Sequence, residues 1–123
     1  MSHAPMYGMN DEQEWRFFRL SDQLRSLGYW VSSEPLPGQI ESWLGGIEDS
    51  LARLNERLLM LHKAYRVRGR SKAARYYLTS NERVDPGFGI SLTQEQRDDN
   101  AAYAAKLARG VARWNEIYGE CAA

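Results

Sequence analysis

The chain has 123 residues, 43% of them apolar and 26% charged, which is average for a soluble globular protein and enough for a single domain, 1–123, around one core. Sixteen Lys and Arg balance sixteen Asp and Glu, which excludes both a uniformly cationic coat and an acidic solvating tail. The longest apolar run, Leu58 to Leu61, is far short of the ~20 residues a bilayer span needs, and Met1 to Asn10 lacks the basic and apolar regions of a signal peptide. A lone cysteine, Cys121, allows no internal disulfide. The expectation is a cytoplasmic protein without membrane contact.

Residues 1–9 have no periodicity and read as a flexible lead-in. Asn10 is a good N-cap, with Gln13 placed for a capping box and Asp11, Glu12 and Glu14 on the positive end of the dipole, so a helix is predicted from there to Gly28. Phe17, Leu20, Leu24 and Leu27 form its core stripe, which Trp15 and Phe18 are expected to widen. Tyr29 to Val31 are expected to fold back on it, and Ser32 to Gly38 to connect to the next element. In that next element Ile40, Leu44, Ile47, Leu51, Leu54, Leu58, Leu61 and Tyr65 make an unbroken heptad seam, predicting a helix over 37–67. Such a helix would be about 46 Å long against a ~35 Å globule, so either Gly45-Gly46 interrupts it or the molecule is elongated or dimeric.

Ser71 is placed to cap a short helix, Lys72 to Leu78, and the turn formers that follow predict an exposed loop over 79–92 with Phe88 at its tip. The last helix is predicted from Thr93 to about Tyr118, with Ala104, Leu107, Val111, Trp114 and Tyr118 at the period of the long helix. The fold class expected is therefore all-α, with three principal helices, the second and third forming a long antiparallel hairpin and the first packed across them.

Little in the sequence supports catalysis. His3 and His62 stand at no metal-ligand or triad spacing, no phosphate-cradling glycine motif occurs, and Glu95, Asp98 and Asp99 read as dipole-compensating acids in a first helical turn. The expectation is a protein that is not an enzyme, with no cofactor and no metal. Trp15, Trp43 and Trp114 fall near apolar faces and core packing is the expected use of all three, but Trp43, off the seam beside Gly45-Gly46, is with Phe88 also the candidate protein-interface anchor.

The compositional anomaly is basic. Lys63, Arg66, Arg68, Arg70, Lys72 and Arg75 place six cations in thirteen residues without an acid, leaving ten basic against sixteen acidic residues elsewhere. Tyr65, Tyr76 and Tyr77 interleave with them, a mixture suited to phosphate contact with stacking. Cations at a helix C-terminus also compensate the dipole, so a solvated helix end is the competing reading, though segregation on this scale exceeds what the dipole requires.

The stretch running through Tyr29-Trp30-Val31, a Pro/Gly connector, Leu51-Ala52-Arg53-Leu54 and then Tyr65-Arg66-Val67-Arg68-Gly69-Arg70-Ser71-Lys72-Ala73-Ala74-Arg75-Tyr76-Tyr77-Leu78 resembles small phage late-gene antitermination proteins of the Q type. The resemblance covers about half the chain. It implies a basic helix-turn-helix like the promoter-reading region of sigma factors, with Ser71 to Leu78 as its first helix, and DNA and RNA polymerase as partners. The chain departs from that pattern where a groove-reading helix should follow within three or four residues, because a turn-rich run from Thr79 to Ser91 stands there.

The leading functional expectation is a small regulatory protein of phage or mobile-element type that binds DNA, RNA or a nucleoprotein complex through Lys63, Arg66, Arg68, Arg70, Lys72, Arg75, Tyr76 and Tyr77. The alternatives are a protein-binding inhibitor or adaptor, for instance of a host defence complex, and a homodimer joined along the heptad seam.

Overall fold

The computed structural model describes residues 6–66, 71–81 and 85–119. They form four α-helices and two short strands, in the order α1 (Asp11–Ser26), β1 (Tyr29–Val31), α2 (Ile40–Tyr65), α3 (Lys72–Thr79), β2 (Ile90–Leu92) and α4 (Gln94–Trp114). The molecule is mostly helical, as expected, but the arrangement differs from the predicted hairpin.

Helix α1 starts where the capping box places it. Asn10 Oδ1 accepts from the Gln13 amide at 2.9 Å while Gln13 Oε1 accepts from the Asn10 amide at 3.0 Å, satisfying two amides that the first turn leaves without helical partners. The predicted lead-in is tied down over its described part. Met9 is buried in the core, the Met6 amide donates to Glu14 Oε1, and the Tyr7 ring packs edge-on against Trp43.

Helix α2 runs through Gly45-Gly46 without a break and, at 26 residues, is about 39 Å long. Gly46 is retained for space: a Cβ there would strike the ring of Phe88. Leu44, Ile47, Leu51, Leu54 and Leu58 of its seam are buried within this one chain, against Leu20, Leu24 and Leu27 from the first helical segment and Ala74 and Leu78 of α3. The seam is thus core, not a dimer zipper. Arg16 clamps α1 to α2 by reaching both Glu41 and Glu48, and the Gln13 side-chain Nε2 with the Arg16 guanidinium holds the Glu41 carboxyl below its usual range. Glu41 is well exposed, so the clamp sets geometry more than stability.

The segment expected to be an exposed loop over 79–92 is partly interior. Thr79, Gly87, Ile90 and Leu92 are buried, and β2 pairs antiparallel with β1 in the register Tyr29 to Leu92, Trp30 to Ser91 and Val31 to Ile90. Ser80, Asn81, Asp85 and Phe88 keep the predicted exposure, the Phe88 ring being about half exposed. The Ser50 hydroxyl donates to the Phe88 carbonyl at 2.9 Å and the Ser32 amide to the Gly89 carbonyl at 3.0 Å, so the turn is pinned from both sides.

Helix α4 does not pair with α2. It is capped by Thr93, whose Oγ1 accepts from the Gln96 amide at 3.0 Å, and its first turns pack on α3. From Ala104 to Gly119, including the wider π-type turn Asn115–Gly119, every residue is exposed. The face of α2 that α4 was expected to cover is already filled by α1, α3 and the two strands. Trp114 is accordingly 62% exposed, and Trp15 and Phe18 of α1 stand out at 75% and 45%, all three contrary to the expected core placement.

Tyr29 provides a test of this core. Its ring is buried, its hydroxyl lies 3.5 Å from the Leu78 carbonyl, and burial raises its pKa above the usual 10.0, partly offset by the charge of Arg57. A raised folded-state value means the folded protein holds the proton more tightly than the unfolded chain. The stabilisation is then complete below the unfolded value and is lost as pH rises through the folded one. Urea midpoints should fall above about pH 10, and the fall should be shallower in Tyr29→Phe.

Candidate nucleic-acid interface

The basic cluster gathers where α2 ends and α3 begins. Arg66 closes α2 in the left-handed conformation (φ 54°, ψ 34°), which costs a residue with a Cβ about 1–2 kcal/mol and turns the chain sharply out of the helix. Ser71 then restarts it, its Oγ accepting from the Ala74 amide at 3.2 Å. Helix α3 buries Ala74, Leu78 and Thr79, which leaves Lys72 and Tyr77 on the outside, Tyr77 against Tyr65 in the last turn of α2.

The structure brings together six of the eight predicted interface residues: Lys63 and Arg66 on the end of α2, and Lys72, Arg75, Tyr76 and Tyr77 on α3. Arg68 and Arg70 lie outside the described residues. Lys63, Arg66 and Lys72 are exposed, and none of them makes an ion pair with another described residue. Arg75 is half-buried, and its Nε is the one fully buried side-chain nitrogen or oxygen among the described residues without a hydrogen-bond partner.

The tyrosines are organised more than spacing alone indicates. Tyr65 and Tyr77 are stacked nearly parallel, 4.8 Å between centroids and 7° between planes. Tyr77 meets Tyr76 edge-on at 5.8 Å, and Tyr76 meets Tyr103 of α4 at 4.5 Å. Four tyrosines thus form a ladder across α2, α3 and α4, with its open end at Tyr65, 59% exposed, and Tyr77, 40% exposed. Tyr103 is the member the sequence analysis missed. Its only signal was its place beside the apolar stripe of α4, which says nothing of a neighbour on α3.

The predicted protein-interface pair separates. Of its two expected uses Trp43 takes the core one and is no surface anchor: it is 3% exposed, stacked on Phe17 at 5.5 Å, with its indole N–H donating to Ser33 Oγ at 2.9 Å. The hydrogen-bond partner lets an off-seam tryptophan be buried. Phe88 lies on the rim of an open hollow of about 480 Å³ floored by Trp43 and edged by Pro35 and Leu36.

Chemically, the cluster can bind an anion and offer ring faces. Among the described residues no three His, Cys, Asp or Glu side chains converge as a metal site would require, and no helix is long and apolar enough to cross a membrane. Among the described residues the next element after α3 is β2 and the next helix, α4, begins at Gln94, farther on than the three or four residues of a helix-turn-helix. Compared with protein-family models, characterised proteins and solved structures, the chain matches none.

Proposed function

We propose that this chain is a small, non-enzymatic regulatory protein of phage or mobile-element type that contacts nucleic acid, alone or within a nucleoprotein complex, through the α2–α3 end. The observation that carries this reading is the juxtaposition of three exposed cations, Lys63, Arg66 and Lys72, with the exposed Tyr65–Tyr77 stack. Cations without acidic neighbours release counterions from a phosphate backbone, and ring faces accept unstacked bases. Without a groove-reading helix directly after α3, the contact is to backbone and exposed bases, with little base-edge readout.

The test is a salt titration of binding to generic duplex DNA, single-stranded DNA and RNA, read by fluorescence anisotropy. Wild-type affinity should fall steeply with salt, and Lys63→Glu/Arg66→Glu/Lys72→Glu should flatten the logarithmic slope by about 2 to 3, the share of three phosphate contacts. Tyr77→Ala should weaken single-strand binding by about 1–3 kcal/mol while sparing duplex. Equal affinity of wild type and triple variant, with helicity intact, would refute the reading.

A protein-binding inhibitor or adaptor is the second reading, and the apolar hollow edged by Leu36 and Phe88 favours it. Capture of a partner that survives nuclease and high salt and is lost in Phe88→Ala would establish it in place of the first.

A further inference from the structure

Two exposed helix faces are complementary to each other, and a single copy of the chain does not bring them together. On α1, Asp11, Trp15, Phe18 and Asp22 are all exposed at spacings of 4-3-4, one continuous stripe on the side away from Leu20 and Leu24. On α4, Leu107, Val111, Trp114 and Tyr118 are exposed at the same 4-3-4 spacing. Each face carries its own hollow of about 400 Å³, one against Trp15 and Phe18, the other formed where Gly110 leaves a gap between Leu107 and Trp114.

The charges around these faces are opposite in sign. Over 11–22 the exposed charged residues are Asp11, Glu12 and Asp22 against Arg19, a net of −2; over 103–118 they are Lys106, Arg109 and Arg113 against Glu116, a net of +2. A second α4 face laid on the first would set cations against cations, whereas α4 laid on α1 sets cations against carboxylates. We infer that the partner of the projecting α4 is a second copy of this chain: the Leu107–Val111–Trp114 face of each copy docks on the Trp15–Phe18 face of the other, in a reciprocal two-fold dimer. A two-fold operator makes both contacts at once and leaves neither face open, whereas a one-way contact would propagate into a chain of copies.

The area is sufficient but small. Trp15, Phe18, Trp114 and Tyr118 are each about half exposed or more, and an aromatic side chain covers roughly 150–250 Å² when fully buried, so closing both contacts covers on the order of 1,000 Å². That is the lower end for a specific interface, the size at which weak, transient association is found. The dimer does not involve Lys63, Arg66 or Lys72, so it stands or falls separately from nucleic-acid binding.

A charge-swap experiment on the full chain, followed by sedimentation velocity from micromolar to millimolar concentration, tests this. Wild type should reach the mass of two copies. Lys106→Glu/Arg113→Glu alone and Asp11→Lys/Asp22→Lys alone should each weaken self-association at least tenfold, because each sets like charges against each other in both contacts. Mixed one to one, these two variants should form a dimer again, since every contact then pairs opposite charges. Trp114→Ala, at an exposed site that leaves folding intact, should also weaken the dimer at least tenfold. A wild-type monomer at millimolar concentration, a mass that climbs past two copies, a dimer indifferent to Trp114→Ala, or a mixture that fails to associate although both variants keep wild-type helicity would each overturn the inference.

Discussion

Gly28→Ala should destabilise the protein by about 3 kcal/mol, which a urea titration would read as a midpoint lower by about 1 to 3 M. Gly28 ends α1 at φ +91°, a conformation that disfavours any residue with a Cβ by about 1–2 kcal/mol. It is also where three elements meet. Its carbonyl accepts from the Thr93 amide at 3.0 Å, fixing the start of α4, and a Cβ built on it would lie 2.6 Å from the Gln96 side chain. Gln96 is 5% exposed and donates to Asn100, so it cannot swing away without breaking that bond. Gly38→Ala is the matched control, because Gly38 also has a positive φ, +73°, but a Cβ there meets nothing within 4 Å. The difference between the two variants isolates the contact from the conformational cost, and equal losses would show that Gln96 yields freely.

The meeting point at Gly28 also shows which parts of this fold local sequence carries. Helix α2 was legible because its apolar positions recur through seven spacings and all lie toward one side, and α1 and α3 were legible from Asn10, Gln13 and Ser71, whose caps act within three residues of themselves. The strands were not. Tyr29–Val31 and Ile90–Leu92 are three residues each, and their pairing joins positions about sixty apart, which no local period encodes. Periodicity also fails to say which side of a helix has a neighbour. Leu107, Val111 and Trp114 have the spacing of a core stripe and are exposed, while Trp43 breaks the spacing and is buried because Ser33 satisfies its indole and Phe17 covers its face. The candidate interface divides along the same line: the cation cluster could be read from composition, whereas the Tyr65–Tyr77–Tyr76–Tyr103 ladder exists only once α3 is docked between α2 and α4.

That docking rests on a half-buried amide. Asn100→Ala should cost about 2–3 kcal/mol and loosen α4 selectively. The Thr79 hydroxyl has one proton, which it gives to the Arg75 carbonyl at 2.6 Å, so its oxygen accepts from Asn100 Nδ2 at 2.9 Å, and the same Nδ2 reaches the Thr79 carbonyl at 3.2 Å. Asn100 Oδ1 in turn accepts from Gln96 Nε2 at 2.9 Å. Alanine would leave the Gln96 amide and the Thr79 carbonyl without these partners in a place where Thr79 is 1% exposed, and such groups retain their desolvation cost when the bond is lost. Because the network is the polar link between α3 and the first turns of α4, hydrogen exchange should accelerate across 96–103 while the amides of α1 and α2 keep their protection. Thr79→Val combined with Asn100→Ala should lose at least about 1 kcal/mol less than the sum of the single changes, since each removes the same bonds. Strict additivity, or unchanged exchange in α4, would mean that apolar contact alone seats this helix. If the network does seat it, Asn100→Ala should also separate Tyr103 from Tyr76, visible as a loss of ring-current shifts at both rings, which ties the far end of the tyrosine ladder to one side-chain amide.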